Sequence, residues 1–327
     1  MSVKSSIGRL DQEKVVLVIS AAMFLIFAMT LNGFATIPNI LSLFQSVSII
    51  GALGLGMAIV IIGRGIDLSM IAVMVMPVAW SFMQIADGMP VSMAFGFAIL
   101  IAVGLGLLNG WLVAFVEVPS IFATLATGMI LFGGMQYIKV QSDIIQLPPV
   151  LEWFNTVMTR TTLGVPNSMV FLLVLSAIVW LFLRFTRQGR FIYAIGDNPM
   201  AARTTGLPVR QIVVLQYVLA AVLALFVGNV LAAMVDSANT RLFYSNMMYD
   251  VILVVVLGGV GLGGGKGRIS NVLAGTALIG ILVNGMTILD VSYMVQNLVK
   301  ASVLLLALVV DSLINPRDEQ TSQQGDI

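Results

Sequence analysis

The sequence contains no cysteine and no histidine. Their absence excludes disulfides, thiolate and imidazole metal sites, and any catalytic group built on either side chain. Charge is scarce too. Asp, Glu, Lys and Arg make up 9% of the 327 residues, against about 25% in an ordinary soluble domain. The net charge of +1 leaves no bulk field to attract nucleic acid or another polyanion. What the chain does have is hydrocarbon: it is 59% hydrophobic, with a mean hydropathy of +1.04. That composition implies an all-α polytopic membrane protein, and β alternation is too sparse for a barrel.

Ten hydrophobic segments are expected, at about 15–31, 39–63, 68–86, 91–116, 120–138, 167–185, 211–234, 249–262, 270–289 and 294–314. Turn chemistry separates them, as in Asn32-Gly33, Gly63-Arg64-Gly65, Asp87-Gly88-Met89-Pro90 and Val118-Pro119. The first follows Lys4, Arg9 and Lys14 in the manner of a signal peptide. It lacks a small-x-small cleavage site and reads as a retained span. The second is expected to bend or break at Gly51, Gly54 and Gly56. The eighth is short enough for a half-span.

With the N-terminus in the cytoplasm, twelve basic residues fall inside and four outside. The inner set is Lys4, Arg9, Lys14, Arg64, Arg184, Arg187, Arg190, Arg203, Arg210, Lys266, Arg268 and Arg317; the outer set is Lys139, Arg160, Arg241 and Lys300. An even number of spans puts both termini inside; ten fits this division best, with eight as the alternative. Residues 1–327 read as a single transmembrane domain, with a cytoplasmic loop at 186–210 and a polar tail at 315–327 expected to be disordered. The longest outer loop, about 140–166, carries Pro148, Pro149, Trp153 and Phe154. It reads either as an interfacial loop or as a docking surface for an external partner.

Gly259, Gly261 and Gly264 spell the dinucleotide-binding pattern, but their flanks are membrane segments. No acid follows at the distance where a ribose partner belongs. Gly265-Lys266 is not a phosphate loop either, since Val260 and Gly267 occupy the positions of its first Gly and its Ser/Thr. The chain therefore carries no ATP site of its own. The glycines between Gly258 and Gly265 are expected to break a helix or to let two backbones meet. Gly106-Leu107-Leu108-Asn109-Gly110 is a helix-packing stripe. Asp67 and Asp250 are expected to cap the helices that follow them, with Arg64 placed to pair with Asp67. Gly65, Asp67, Asp250, Gly258 and Gly259 are structural or gating candidates. Gln45, Asn109, Phe122, Gln136, Asn246 and Asn284 are candidates for a polar pathway. No residue set has the form of an enzyme site, and no metal or cofactor is implied.

The segment from Arg184 to Arg210 interrupts the hydrophobic pattern. Within it Asn198 suits an N-cap, Pro199 the first helical position and Gly206 the C′ position, with Pro208 stopping any continuation. The product is a helix of about two turns, too short to stand alone in water, so it must pack on something.

Four stretches carry a resemblance: GMAIVIIGRGIDLS (56–69), TRQGRFIYAIGDNPMAARTTGL (186–207), VVVLGGVGLGGGKGRI (254–269) and LVKASVLLLALVVD (298–311). The chain resembles the permease subunits of bacterial ABC importers for sugars, of the ribose, xylose and arabinose type in the branched transport permease family. The resemblance implies a non-catalytic translocation subunit in the bacterial inner (cytoplasmic) membrane. It also implies a separate ATP-binding cassette ATPase, a second identical or related permease, and a periplasmic or lipid-anchored solute-binding protein. Gly196, Asn198, Ala201, Ala202, Arg203 and Gly206 match the coupling helix, which sits in a groove of the ATPase. Arg64, Met70-Ile71, Met200 and Met248 depart from the family pattern, and those near the second and eighth segments bear on the substrate rather than on the role. An ion-driven secondary transporter or channel is the rival reading. A nucleoside or a signalling sugar derivative is the alternative cargo.

Overall fold

The computed structural model describes residues 12–138, 140 and 142–314. The tail at 315–327 and the basic residues Lys4, Arg9, Lys139 and Arg317 lie outside the described residues. In chain order the helices are α1 (Gln12–Thr30), α2 (Ile37–Ile62), α3 (Met70–Ala86), α4 (Val91–Ala114), α5 (Ser120–Ile138), α6 (Glu152–Thr159), α7 (Asn167–Phe185), α8 (Arg187–Asp197), α9 (Pro199–Thr204), α10 (Val209–Met234), α11 (Met247–Gly258), α12 (Ile269–Ile288) and α13 (Tyr293–Ile314). Among the described residues, seven of them are long and apolar enough to cross a membrane, and α3, α11 and the Tyr293–Val309 part of α13 are shorter apolar stretches. Each of the ten expected hydrophobic segments coincides with one of these ten helices. The segments are helical because a backbone in hydrocarbon must satisfy its own hydrogen bonds.

α2 is the axis of the bundle. It is buried along most of its length, against α7, α10, α11 and α12. It runs unbroken from Ile37 to Ile62, where a break at the glycines was one of the two outcomes expected. Gly51, Gly54 and Gly56 serve packing instead, seating Thr276, Val272 and Met70 against the α2 backbone. The Gly106/Gly110 stripe behaves as expected: it brings α4 against the α10 backbone, where a Cβ on Gly106 would lie 2.6 Å from Val218 Cα. α1 packs beside α12, and Phe24 and Phe27 meet Phe34 edge-on at 5.4 and 5.5 Å. Large apolar side chains of α4, α5, α7 and α13 remain exposed, among them Leu100, Ile130, Ile178 and Leu306. Such surfaces suit lipid rather than water.

Between α5 and α7, residues 142–166 include short strands and α6. Strand β1 (Ile144–Gln146) pairs antiparallel with β4 (Ser237–Asn239), which follows α10, and β2 (Thr161–Thr162) pairs with β3 (Val165–Pro166). Arg241 clamps the first pair through Asp143 at 2.7 Å.

Asp250 does not cap α11. The chain turns into the helix at Asn246, and Asp250 in the first turn faces Lys300 of α13, with Nζ at 2.7 and 2.8 Å from its two oxygens. Both side chains are largely shielded, so each charge depends on the other. Lys300→Leu is expected to cost about 3–5 kcal/mol by stranding a buried charge, read as a lowered melting temperature of the detergent-solubilised protein. Replacing both residues by Leu is expected to recover most of that loss, and an additive double variant would contradict the pairing.

Candidate functional site

The loop between α7 and α10 folds into two helices. Thr186 caps α8, its Oγ1 accepting from Gly189 N at 3.0 Å. Asn198 caps α9, its Oδ1 accepting from Ala201 N at 2.9 Å, and Pro199 occupies the first helical position. Gly206, at φ +80°, ends the helix: its amide donates to Arg203 O at 2.9 Å, and the Leu207 amide donates to Ala202 O at 3.0 Å. That pair of hydrogen bonds is the glycine-terminated helix stop the sequence announces. Ala202 is buried against the bundle, whereas Met200, Ala201, Arg203 and Thr204 are exposed. One face of α9 is thus fixed to its own protein and the other is open.

α8 leads from this helix to the end of α2. Gly196 lies so close to the Ile62 carbonyl that a Cβ would overlap its oxygen. The same oxygen accepts from Gly265 N at 2.8 Å. Around this point Arg64 Nε donates to Gly263 O at 2.9 Å, and Tyr193 Oη donates to Gly267 O at 2.8 Å. Arg64 holds a left-handed backbone at φ +71°, which costs a non-glycine residue energy and persists where surroundings enforce it. Burial lowers the pKa of its guanidinium, and Asp197 acts in the opposite direction. Arg64 does not pair with Asp67, contrary to expectation. The guanidinium is instead bound to the glycine loop between α11 and α12. The glycine run ends α11, with Gly259 left-handed at φ +104°, and also lets backbones meet, with Gly258 against the Asn271 carbonyl.

Asp67 does not itself cap α3, which starts after Ser69. Its Oδ1 accepts from Ser69 N at 2.9 Å and from Ser69 Oγ at 2.5 Å. Asn109 of α4 donates to Ser69 Oγ at 2.8 Å and accepts from Thr127 of α5. Thr124 Oγ1 accepts from Leu68 N at 2.9 Å. This buried network ties the α2–α3 turn to α4 and α5. Gly65 in the same turn leaves room for the Tyr217 hydroxyl of α10.

Toward the opposite end of α2 lies a cavity of about 610 Å³ between α2, α3, α10 and β4. Its polar lining is Ser42, Gln45, Ser46, Ser237 and Asn239, and no charged side chain among the described residues borders it. Of the six pathway candidates only Gln45 lines it. Asn246 directly precedes Met247, which does. Asn109 belongs to the buried network, and Asn284 exchanges amide hydrogen bonds with Asn39 at 2.9 and 3.0 Å. Phe122 is exposed on α5, and Gln136 is half-buried near that helix's end. Ser42 and Ser46 were legible in the sequence: with Gln45 they form a polar stripe at helical spacing inside an apolar run.

Comparison with known proteins places these features among transport permeases. Residues 39–308 match the model of a family described as branched-chain amino acid transport system / permease component. The ribose import permease protein of Bacillus subtilis (strain 168) is 35% identical over 273 residues, 84% of each chain. That of Escherichia coli (strain K12) is 33% identical over 284 residues, 86% of this chain and 87% of that protein. The L-arabinose transport system permease protein of Escherichia coli (strain K12) is 29% identical over 314 residues, 94% of this chain and 92% of that protein. No solved structure matches.

The junction at Ile62 separates two substitutions of the same kind. Gly196→Ala forces a methyl onto a carbonyl and is expected to cost about 1–3 kcal/mol as overpacking. Gly261→Ala meets no atom closer than 4.0 Å and is expected to be nearly neutral. Thermal unfolding of the two purified variants checks this, and equal melting temperatures would deny the close approach.

Proposed function

We propose, for a chain that belongs to the branched-chain transport permease family, that it is the translocation subunit of an importer for a sugar or sugar-like solute, powered by a separate ATPase. The observation that carries this reading is α9: a capped, exposed helix packed on α8 and α10, with α8 in turn meeting the end of the bundle's central helix at Gly196. A helix held this way passes a push to α2 through α8. The path from Ile62 back to Ser46 is about 24 Å of continuous helix, so the open cavity and the docking end share one rigid rod. Closure of an ATPase dimer on α9 then moves one wall of the cavity, a two-state switch biased by nucleotide.

In this reading the chain is a single multi-pass domain of ten spans in the bacterial inner membrane, with both termini and the 186–210 coupling loop in the cytoplasm. The positive-inside division of its arginines and lysines supports that orientation. A second permease, identical or related, completes the pathway. A solute-binding protein meets the outer layer formed by β1, β4 and α6. Because β4 contributes Ser237 and Asn239 to the cavity wall, docking there bears directly on the mouth of the path. The lining favours a neutral polyol over an amino acid: hydroxyls and amides suit sugar hydroxyls, whereas a zwitterion finds no counter-charge.

Arg203→Glu alters an exposed residue of α9 and is expected to abolish ATP-driven uptake while leaving the permease in the membrane at normal abundance. Undiminished uptake would sink the coupling role. Uptake that persists without the ATPase and collapses with the proton gradient would favour an ion-driven carrier. Ser46→Trp fills the cavity far from α9. It is expected to block uptake while the permease still co-purifies with its ATPase, and transport at the normal rate would place the path elsewhere.

A further inference from the structure

A second cavity, of about 500 Å³, opens on the outside of the bundle between the α8-proximal end of α7 and the start of α12. Its composition is graded along the helix axes. At the end near α8, Arg184 and Arg268 border it beside Ser270 in the first turn of α12. Both arginines are exposed, and neither makes an ion pair among the described residues. Arg184 instead lies 5.9 Å from the ring centres of Trp180 and Phe185. The first amides of α12 have no intrahelical acceptor and carry the positive end of its dipole. Deeper in, the wall becomes apolar through Ala177 and Leu273 and reaches Ser176. Ser176 is 4% exposed, and its hydroxyl has no hydrogen-bond partner among the described residues. From Arg184 to Ser176 is about 12 Å of helix, so the cavity runs along the bundle axis.

We propose that this groove binds an anionic phospholipid of the cytoplasmic leaflet. The phosphate sits between Arg184, Arg268 and the α12 amides, and the glycerol and upper acyl segment lie along Ala177 and Leu273 toward Ser176. Three features select such an occupant. The charge is positive and unpaired at one end only. The opposite end is apolar and lies at the depth of hydrocarbon. The buried, unpartnered hydroxyl of Ser176 lies where an ester oxygen can accept from it. Basic pockets between transmembrane helices on the cytoplasmic side are a recurrent form of headgroup site. The leaflet named here rests on the membrane orientation proposed above. The groove also touches the coupling region: Tyr193 of α8 and Gly267 both border it, and they are hydrogen-bonded to each other. A bound lipid therefore braces α7 and α12 against the segment that carries α9.

The test is lipid retention, read by native mass spectrometry on the full-length permease extracted in mild detergent from membranes containing phosphatidylglycerol and phosphatidylethanolamine. The protein is expected to keep phosphatidylglycerol preferentially. Arg184→Gln with Arg268→Gln should lower its retention roughly tenfold, whereas Arg187→Gln with Arg190→Gln, outside the groove, should not. Equal retention by the two double variants overturns the site. Displacement of the bound lipid by inorganic phosphate at millimolar levels would reassign the groove to a free anion. The native chain has no cysteine, so Ser270→Cys reports unambiguously: a disulfide between two copies would make the groove a permease contact and remove the lipid. Labelling of that cysteine by a membrane-impermeant thiol reagent from the outer side alone would overturn the orientation, while the retention measurement would still decide the lipid site. Since retention needs neither ATPase nor solute, loss of transport in these variants decides nothing about it.

Discussion

A helix ending near the membrane surface leaves carbonyls that need donors, and the fate of one such carbonyl organises this protein. Ile62 closes α2, and its oxygen takes the Gly265 amide, a donor from a loop some two hundred residues away in sequence. That bond is made only if Gly196 contributes no side chain and if the glycine loop after α11 turns back sharply. Three distant segments are thereby fixed at one point: the end of the central helix, the lead-in to α9, and the link from α11 to α12. Arg64 holds a strained backbone there and spans the same junction with its side chain. The end of the central helix, α8 and the loop between α11 and α12 are held together by this contact.

The buried network around Ser69 supplies the complementary constraint. A turn inside a bundle exposes amides that water cannot reach, and side chains of α4 and α5 receive them. The turn after α2 is therefore gripped from two sides, by backbone at Ile62 and by hydroxyls and an amide at Ser69, Asn109 and Thr127. Rotation of α2 about its own axis would break both sets of bonds, whereas movement of the whole cluster with α2 keeps them.

Much of this was legible in the sequence. Hydrophobic run length located every apolar helix, because in hydrocarbon a run of that kind has one good conformation. Asn198, Pro199 and Gly206 located α9, because caps act through local geometry. The functions of Asp67, Asp250 and Arg64 were not legible, since each was read against near neighbours in sequence. Their partners come from elsewhere: Asn109 reaches the Asp67 turn through Ser69, Lys300 lies fifty positions beyond Asp250, and Gly263 meets Arg64 across the fold. The glycines of α2 misled in the same way. Local propensity says they weaken a helix, but they pack closely on Thr276, Val272 and Met70 within an unbroken helix. Ser42 and Ser46 were visible as a stripe, yet only the arrival of β4 beside them makes a cavity.

The ion pair between α11 and α13 has an evolutionary corollary. Each of its charges is acceptable in apolar surroundings only because the other is present. A lineage that loses the acid at position 250 carries an unmatched ammonium until position 300 changes too, and the reverse order is no easier. The two sites are therefore expected to change together among related chains, to another oppositely charged couple or to two apolar residues, so that a family tree should show paired replacements here while the exposed lipid-facing positions of α13 drift one at a time.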